Sequence, residues 1–287
     1  MRRNRCRTPP LCIARKFMYY FDTNSIRRRS SLDDSCLANI IISQLSIYEI
    51  ISGITSEDEF YKRKQVLKRI ELNFKNIIWE SPKSLIIKAF NLKGVDEDVE
   101  VTKIMMTAIL HCESFKSLKD IRVIVLGYEY TIEHFIWYDN IFTNYVLAKT
   151  KNAISNTDKI QRLALKEIKE IPSFVRVNHE IEIRNMLFSY LGCDSTIDKE
   201  YVDAVKYYFN NPLLDDFFNT NNWGGYNAVA YGQNPGKNDA FDYAHMAYSS
   251  YAKYIVTDDK FFHRIPKDIL NIEVISYDDY CNKSKKS

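Results

Sequence analysis

The sequence predicts an α/β fold: a central, mainly parallel sheet flanked by helices and interrupted by a long helical insertion. Three observations carry this. Short apolar runs stand towards both ends of the chain, "FMYYF" at 17–21, "NIIWE" at 76–80, "KYIVT" at 253–257 and "IEVISY" at 272–277. Between them, residues 93–231 are mainly of helical period. Gly and Pro number only 8 and 7, which favours long elements over tight hairpins. Strands near the two ends with helices between them pair through crossover connections.

Taken in order, residues 17–21 are bulky and apolar without a polar face, the pattern of a strand covered on both sides. The strand ends at Asp22, and Thr23, Asn24 and Ser25 turn the chain. "RRRSSLDDSCLANI" then reads as a helix entry with Ser30, Ser31 or Asp33 as its cap. In "IISQLSIYEIISGI" (41–54), Ser46 and Glu49 have the spacing of a capping box, so Glu49 is expected to open a helix. Ser56 and Glu59 repeat that spacing before a helix whose Phe60, Leu67, Ile70 and Phe74 share one face. Residues 76–80 form a short strand, and Pro82 falls in the first turn of the helix after it.

In the insertion, residues 96–111, 157–171, 177–191 and 198–209 show helical periodicity. "NNWGGYNAVAYGQNPGKND" (221–239) concentrates Gly, Asn and a Pro and is expected to be a loop. Residues 239–252 follow as an amphipathic segment. The chain thus divides into a basic arm (1–16), a core (17–92 and 232–280), the insertion (93–231) and a polar tail (281–287).

Hydrophobic residues make up 46% and charged residues 27%, as in a folded soluble protein. No apolar run approaches the roughly 18 residues of a membrane span, so no membrane partner is expected. The net charge of +3 conceals an asymmetry: nine of the 40 Lys and Arg lie within residues 1–29 beside one acid, Asp22, and the remainder is mildly acidic. The first residues lack the apolar stretch of a secretory signal. Residues 1–16 read as a disordered arm, a mis-assigned start, or a basic arm that touches RNA. Six cysteines form no C-x-x-C pair, which points to reduced thiols in the cytoplasm.

Acids stand at four element ends or starts. They are Asp22, Glu49, Asp239 with Asp242, and Asp258 with Asp259. Ligands of open α/β sheets gather beyond the carboxyl ends of strands, where Asp22 and Asp258/Asp259 fall. Carboxylates brought together repel one another unless they take up protons or a cation. Mg²⁺ or Mn²⁺ suits such an oxygen-only set and can activate water at a phosphodiester. Each acid also has a plainer role: Asp22 as a cap, Glu49 in its capping box, Asp242 at a helix start, "TDDK" as a polar turn.

"YYFDTNSI", "LSIYEIISGI", "NIIWESPKSLIIKAF", "DAFDYAHMAYSSYAKYIVTDDKFF" and "IEVIS", in that order, resemble a PIN domain. The resemblance covers about residues 17–92 and 232–280 and leaves 93–231 unmatched. It implies that Asp22, Glu49, Asp242 and Asp259 are metal-binding acids, with Asn24 and Thr257 as polar support. Asp258 could replace Asp259, and Asp239 could join or replace Asp242. The implied activity is Mg²⁺- or Mn²⁺-dependent cleavage of single-stranded RNA, as in toxin-like or RNA-processing ribonucleases, some held by an inhibitor or antitoxin. The insertion departs from the compact toxin form and puts substrate and antitoxin pairing in doubt. An apolar helical face on it could also pair with a second copy.

Two other readings compete. An Asp-nucleophile phosphatase of the HAD type would want an acid two residues after Asp22, where Asn24 stands. A non-catalytic RNA-binding or interaction module would use the insertion and leave the acids idle. Arg27 to Arg29 and Lys237 could meet a phosphate backbone or be solvated charges. His245, three residues after Asp242, either touches phosphate or metal or is a packed or half-exposed helix histidine, and His111–Cys112 lacks metal-site partners. Trp223, Tyr226 and Tyr231 either stack bases or pack.

Overall fold

The computed structural model describes residues 18–28, 38–94, 96–192, 198–233, 236 and 239–284. The expectations for the basic arm, for Phe17, for caps at Ser30, Ser31 or Asp33, for Arg29 and for Lys237 lie outside them.

The first strand, β1 (Tyr19–Phe21), leads at once into α1 (Thr23–Arg28). After β2 (Ile40–Ser43) come α2 (Gln44–Ser52), α3 (Glu57–Asn73), β3 (Ile77–Ile78) and α4 (Pro82–Ala89). The insertion opens with α5 (Asp98–His111) and α6 (Phe115–Lys119), then a hairpin of β4 (Val123–Val125) and β5 (Tyr128–Tyr130). Five helices follow: α7 (Ile132–Asn156), α8 (Lys159–Lys166), α9 (Ile171–Leu191), α10 (Lys199–Asn210) and α11 (Asp215–Tyr231). The chain returns through α12 (Asp239–His245), a 3₁₀ turn (Met246–Tyr251), β6 (Tyr254–Val256), α13 (Lys260–Arg264), β7 (Glu273–Ile275) and α14 (Tyr277–Ser284).

Five strands make one sheet in the order β3-β2-β1-β6-β7, with every neighbouring pair parallel. The strand that ends at Asp22 is central, as its unbroken apolar run requires. Its register places Phe21 beside Val256, so Asp22 and Thr257 leave the sheet side by side. Side chains alternate between two cores. Phe21, Ile40, Ile42 and Val256 face one, and Tyr20, Ile41 and Ile255 the other.

The insertion packs against both faces. Val101, Met105, Ile109, Val123 and Phe135 join the first core, while Val175, Leu187, Tyr208 and Phe218 join the second. Among the described residues, no helix is long and apolar enough to cross a membrane.

Several expectations require correction. Ile40–Ser43 is a buried strand, hidden in the sequence because its isoleucines run straight into the next helix. Ser43, not Ser46, caps α2: its side chain accepts from Ser46 N. Glu49 therefore lies near the end of that helix rather than opening it. Ser56 caps α3 as expected, accepting from Glu59 N, while the Glu59 carboxylate turns to Arg63 instead of completing the box. Within the mainly helical insertion, the apolar residues Val123–Val125 pair with Tyr128–Tyr130 as an antiparallel hairpin.

The largest correction falls on the expected loop at 221–239. Residues 221–231 continue α11, which ends at Gly232 in a left-handed cap (φ 65°). Two glycines in mid-helix weaken it intrinsically, yet packing restores it at Gly224. A Cβ there would lie 2.2 Å from the Tyr243 hydroxyl, whereas one at Gly225 would meet open space. Trp223 and Tyr226 are buried in the same helix, and Tyr231 is exposed. Gly224→Ala is accordingly expected to cost about 1–3 kcal/mol. Gly225→Ala should be neutral or stabilising by up to about 1 kcal/mol. Paired urea titrations check the contrast, which equal effects at the two sites would refute.

Candidate functional site

At the carboxyl edge of β1 and β6 lies a cavity of about 200 Å³. Asp22, Glu49, Asp242 and Asp259 all line it, from four separate segments of the chain. Asn24 and Arg27 stand on its wall, both exposed.

Asp22 combines its two sequence readings. It is 3% exposed; its Oδ1 accepts from Ser25 N at 2.7 Å, capping α1, and its Oδ2 accepts from the Thr257 hydroxyl at 2.6 Å. Burial raises its pKa, and these hydrogen bonds oppose the rise. Thr257, fully buried, also accepts from Asp259 N at 3.0 Å, so one hydroxyl ties the two strand ends together. Asp259 uses Oδ1 to cap α13 through Phe261 N at 2.8 Å.

Glu49 reaches the cavity from α2. Its Oε2 accepts from the Thr23 hydroxyl and from His245 Nε2, the latter at 2.6 Å. His245 is 2% exposed, and its Nδ1 lies 2.5 Å from the Tyr20 hydroxyl. The Tyr20 oxygen is in turn 2.8 Å from Ser43 Oγ. With Nε2–H donating to the carboxylate, Nδ1 accepts from Tyr20, and Ser43 donates to the Tyr20 oxygen. A buried relay thus runs from the strand end at Ser43 to Glu49, and it fixes the carboxylate's orientation.

Asp242 differs from the rest. Its Oδ2 is buried and has no hydrogen-bond partner. Burial, then the negative charges of Asp259, Glu49, Asp239 and Asp22, push its pKa up to about 9, so it holds a proton at neutral pH.

Both alternative registers are placed elsewhere. Asp258 pairs with Arg28 at 2.5 Å and accepts from Tyr277 N at 3.2 Å, away from the cavity wall. Asp239 accepts from Gly236 N at 2.8 Å at the start of α12 and touches Asp242 only through its charge.

Among the cavity residues that the sequence does not single out are Thr23, Ser52, Gly53, Arg63, Asp139, Thr143 and Phe241. Thr23 lies within "DTNSI" but was read only as part of a turn. Asp139 and Thr143 come from α7, in the unmatched insertion, where no motif signals them. Arg63 donates to the Glu49 and Ile50 carbonyls at 3.0 and 3.2 Å. It fits because Gly53 is bare: a Cβ there would come within 2.1 Å of the guanidinium carbon.

The donor set is of oxygens, with a buried carboxylate oxygen left over, and this chemistry suits a hard cation. As the side chains stand, however, no group of three or more His, Cys, Asp or Glu among the described residues is placed to hold a metal ion. No protein-family model, curated protein or solved structure matches the chain.

Proposed function

We propose that the chain is a Mg²⁺- or Mn²⁺-dependent endoribonuclease of PIN type that hydrolyses phosphodiesters of single-stranded RNA. The observation that carries this reading is the meeting of Asp22, Glu49, Asp242 and Asp259 on one cavity, with the Asp242 Oδ2 buried and unpartnered. Acids gathered without a compensating cation favour proton uptake, and Asp242, with its pKa pushed up to about 9, is where that falls.

Those four residues would hold the cation, which when bound supplies an activated water and offsets charge on the phosphodiester. The chain's own part is positional. Ser25 and Thr257 aim Asp22, Thr23 and His245 aim Glu49, and the backbone at Phe261 steadies Asp259. A cation there would oppose the burial and the neighbouring negative charges that raise the Asp242 pKa, and would favour its ionised form. Arg27, exposed on the wall, is the nearest described candidate to engage the RNA backbone.

The test is incubation of the pure chain with single-stranded RNA and Mn²⁺ beside Asp22→Asn and Asp242→Asn. Each substitution is expected to lower cleavage by about a hundredfold or more. Cleavage that survives both would refute the site. A second reading, an RNA-binding module without catalysis, is favoured by one observation. Both Asp22 oxygens and Glu49 Oε2 are already employed in hydrogen bonds within the fold. It stands if the wild-type chain binds RNA and cuts none under any divalent ion.

A further inference from the structure

Beside the acidic cavity lies a second, larger one of about 730 Å³, within the range of about 300–1,000 Å³ typical of small-molecule sites. Seven of its twenty lining residues are Phe, Tyr or Trp. Tyr48 is the hub: its ring stacks on Phe135 with centroids 5.2 Å apart, meets Tyr138 edge-on at 6.4 Å and stacks on Phe241 at 6.2 Å. Phe142 packs against Phe241 at 5.3 Å. Trp137 and Tyr138 stand at the rim, 61% and 55% exposed.

The two cavities are joined through the sequence itself. Tyr48 precedes Glu49 on α2, and Phe241 precedes Asp242 on α12. Successive helical residues point about 100° apart, so each pair sends an aromatic into one cavity and a carboxylate into the other. Phe241 lines both. A phosphodiester at the acids would therefore lie one position along the chain from an aromatic residue on each of two helices, Tyr48 and Phe241.

We infer that the aromatic cavity is a nucleobase subsite, receiving an unpaired base next to the phosphate held at the acidic cavity. This deepens the ribonuclease reading and rests on it for the phosphate's position. Base faces stack on aromatic rings whatever their sequence, and a single strand leaves its bases free to turn in without unpairing. Polar groups on the same lining, Lys83, Glu97 and Asp98, give donors and acceptors for a base edge. Four of the aromatic residues, Phe135, Trp137, Tyr138 and Phe142, come from α7. The insertion would thus supply base contacts to a carboxylate site that the core supplies.

Equilibrium binding in EDTA, where metal-dependent cleavage is silent, tests this with two probes. One is a short oligoadenylate, and the other an abasic ribose-phosphate oligomer of equal length and charge. The wild-type chain is expected to prefer the base-bearing probe by roughly five- to a hundredfold. Tyr138→Ala removes a rim ring, and Ile86→Trp fills the cavity from α4, away from the acids. Both variants, shown folded by circular dichroism, should bring that preference towards parity. Equal binding of the two probes by the wild type overturns the subsite, and so does a preference unchanged in both variants. RNA cleavage with no base preference removes the subsite alone. A base preference that the two variants abolish, in a chain that cuts no RNA, upholds the subsite and removes the nuclease reading.

Discussion

Asp242→Asn is expected to raise the thermal midpoint of the chain at pH 8 in EDTA and to leave it nearly unchanged at pH 4. In the folded chain Asp242 keeps its proton up to about pH 9, while in the unfolded chain an aspartate releases it near pH 4. Between these values the folded state binds more protons than the unfolded one, so stability falls as pH rises. Its contribution is fully present below about pH 4 and lost progressively towards pH 9. The slope for one such proton is at most about 1.4 kcal/mol per pH unit.

An asparagine cannot titrate, so the variant's midpoint should fall less steeply over pH 5–8, keeping only the slope of the other carboxyls that burial raises, Asp22, Asp98, Glu182 and Asp216. Adding Mn²⁺ at pH 8 should raise the wild-type midpoint by mass action and move the variant's far less. Scanning calorimetry at several pH values, with and without Mn²⁺, reads both effects. A wild-type midpoint as flat with pH as the variant's would contradict the placement of the proton.

Tyr208→Ala is expected to destabilise the whole chain by about 3–5 kcal/mol, the range for deleting a large buried ring. Tyr208 is fully buried on α10, within the insertion. Its ring stacks 4.6 Å from Phe90 of the core and lies edge-on to Phe218 at 5.9 Å. Its hydroxyl donates to Asp215 at 2.7 Å. The substitution opens a void where insertion and sheet meet and leaves Asp215 without that donor. Tyr208→Phe keeps the ring and should cost only about 1 kcal/mol. If the insertion is an integral part of the fold, calorimetry of Tyr208→Ala should show one transition moved down. Two transitions, one at the wild-type temperature, would mean that the insertion melts apart from the core.

Strand ends and apolar faces were legible in the sequence because their signals are local. The run before Asp22 announced a doubly covered strand, and the face of Phe60, Leu67, Ile70 and Phe74 announced a buried helix side. What failed depended on distant partners. Ser43 and Ser46 are both good caps, and only the strand pairing of Ile40–Ser43 selects the first. "NNWGG" looked like a loop because the helix through it is stabilised by Tyr243, which lies many residues further on.

The acidic cavity follows the same division. Asp22, Asp242 and Asp259 were visible as strand and helix ends and Glu49 only through a capping box that Ser43 displaces, whereas the relay from Ser43 through Tyr20 and His245 to Glu49 joins segments up to 225 residues apart. Asp139 carried no local mark at all, since it lies in the part of the chain without recognisable motifs.

The central strand pairs on one side with β2, close in sequence, and on the other with β6, where Thr257 reaches Asp22 across 235 positions. Pairing over such a separation forms late and slowly, because the intervening chain must be ordered first. A ribosome releases residues 22 and 49 long before residues 242 and 259, with the whole insertion between them. The early acids therefore wait as half of a cavity, exposed and only partly neutralised, until the final strands arrive. On the ribonuclease reading proposed above, the site would stay incomplete until the last strands are made, and the message being translated would be spared.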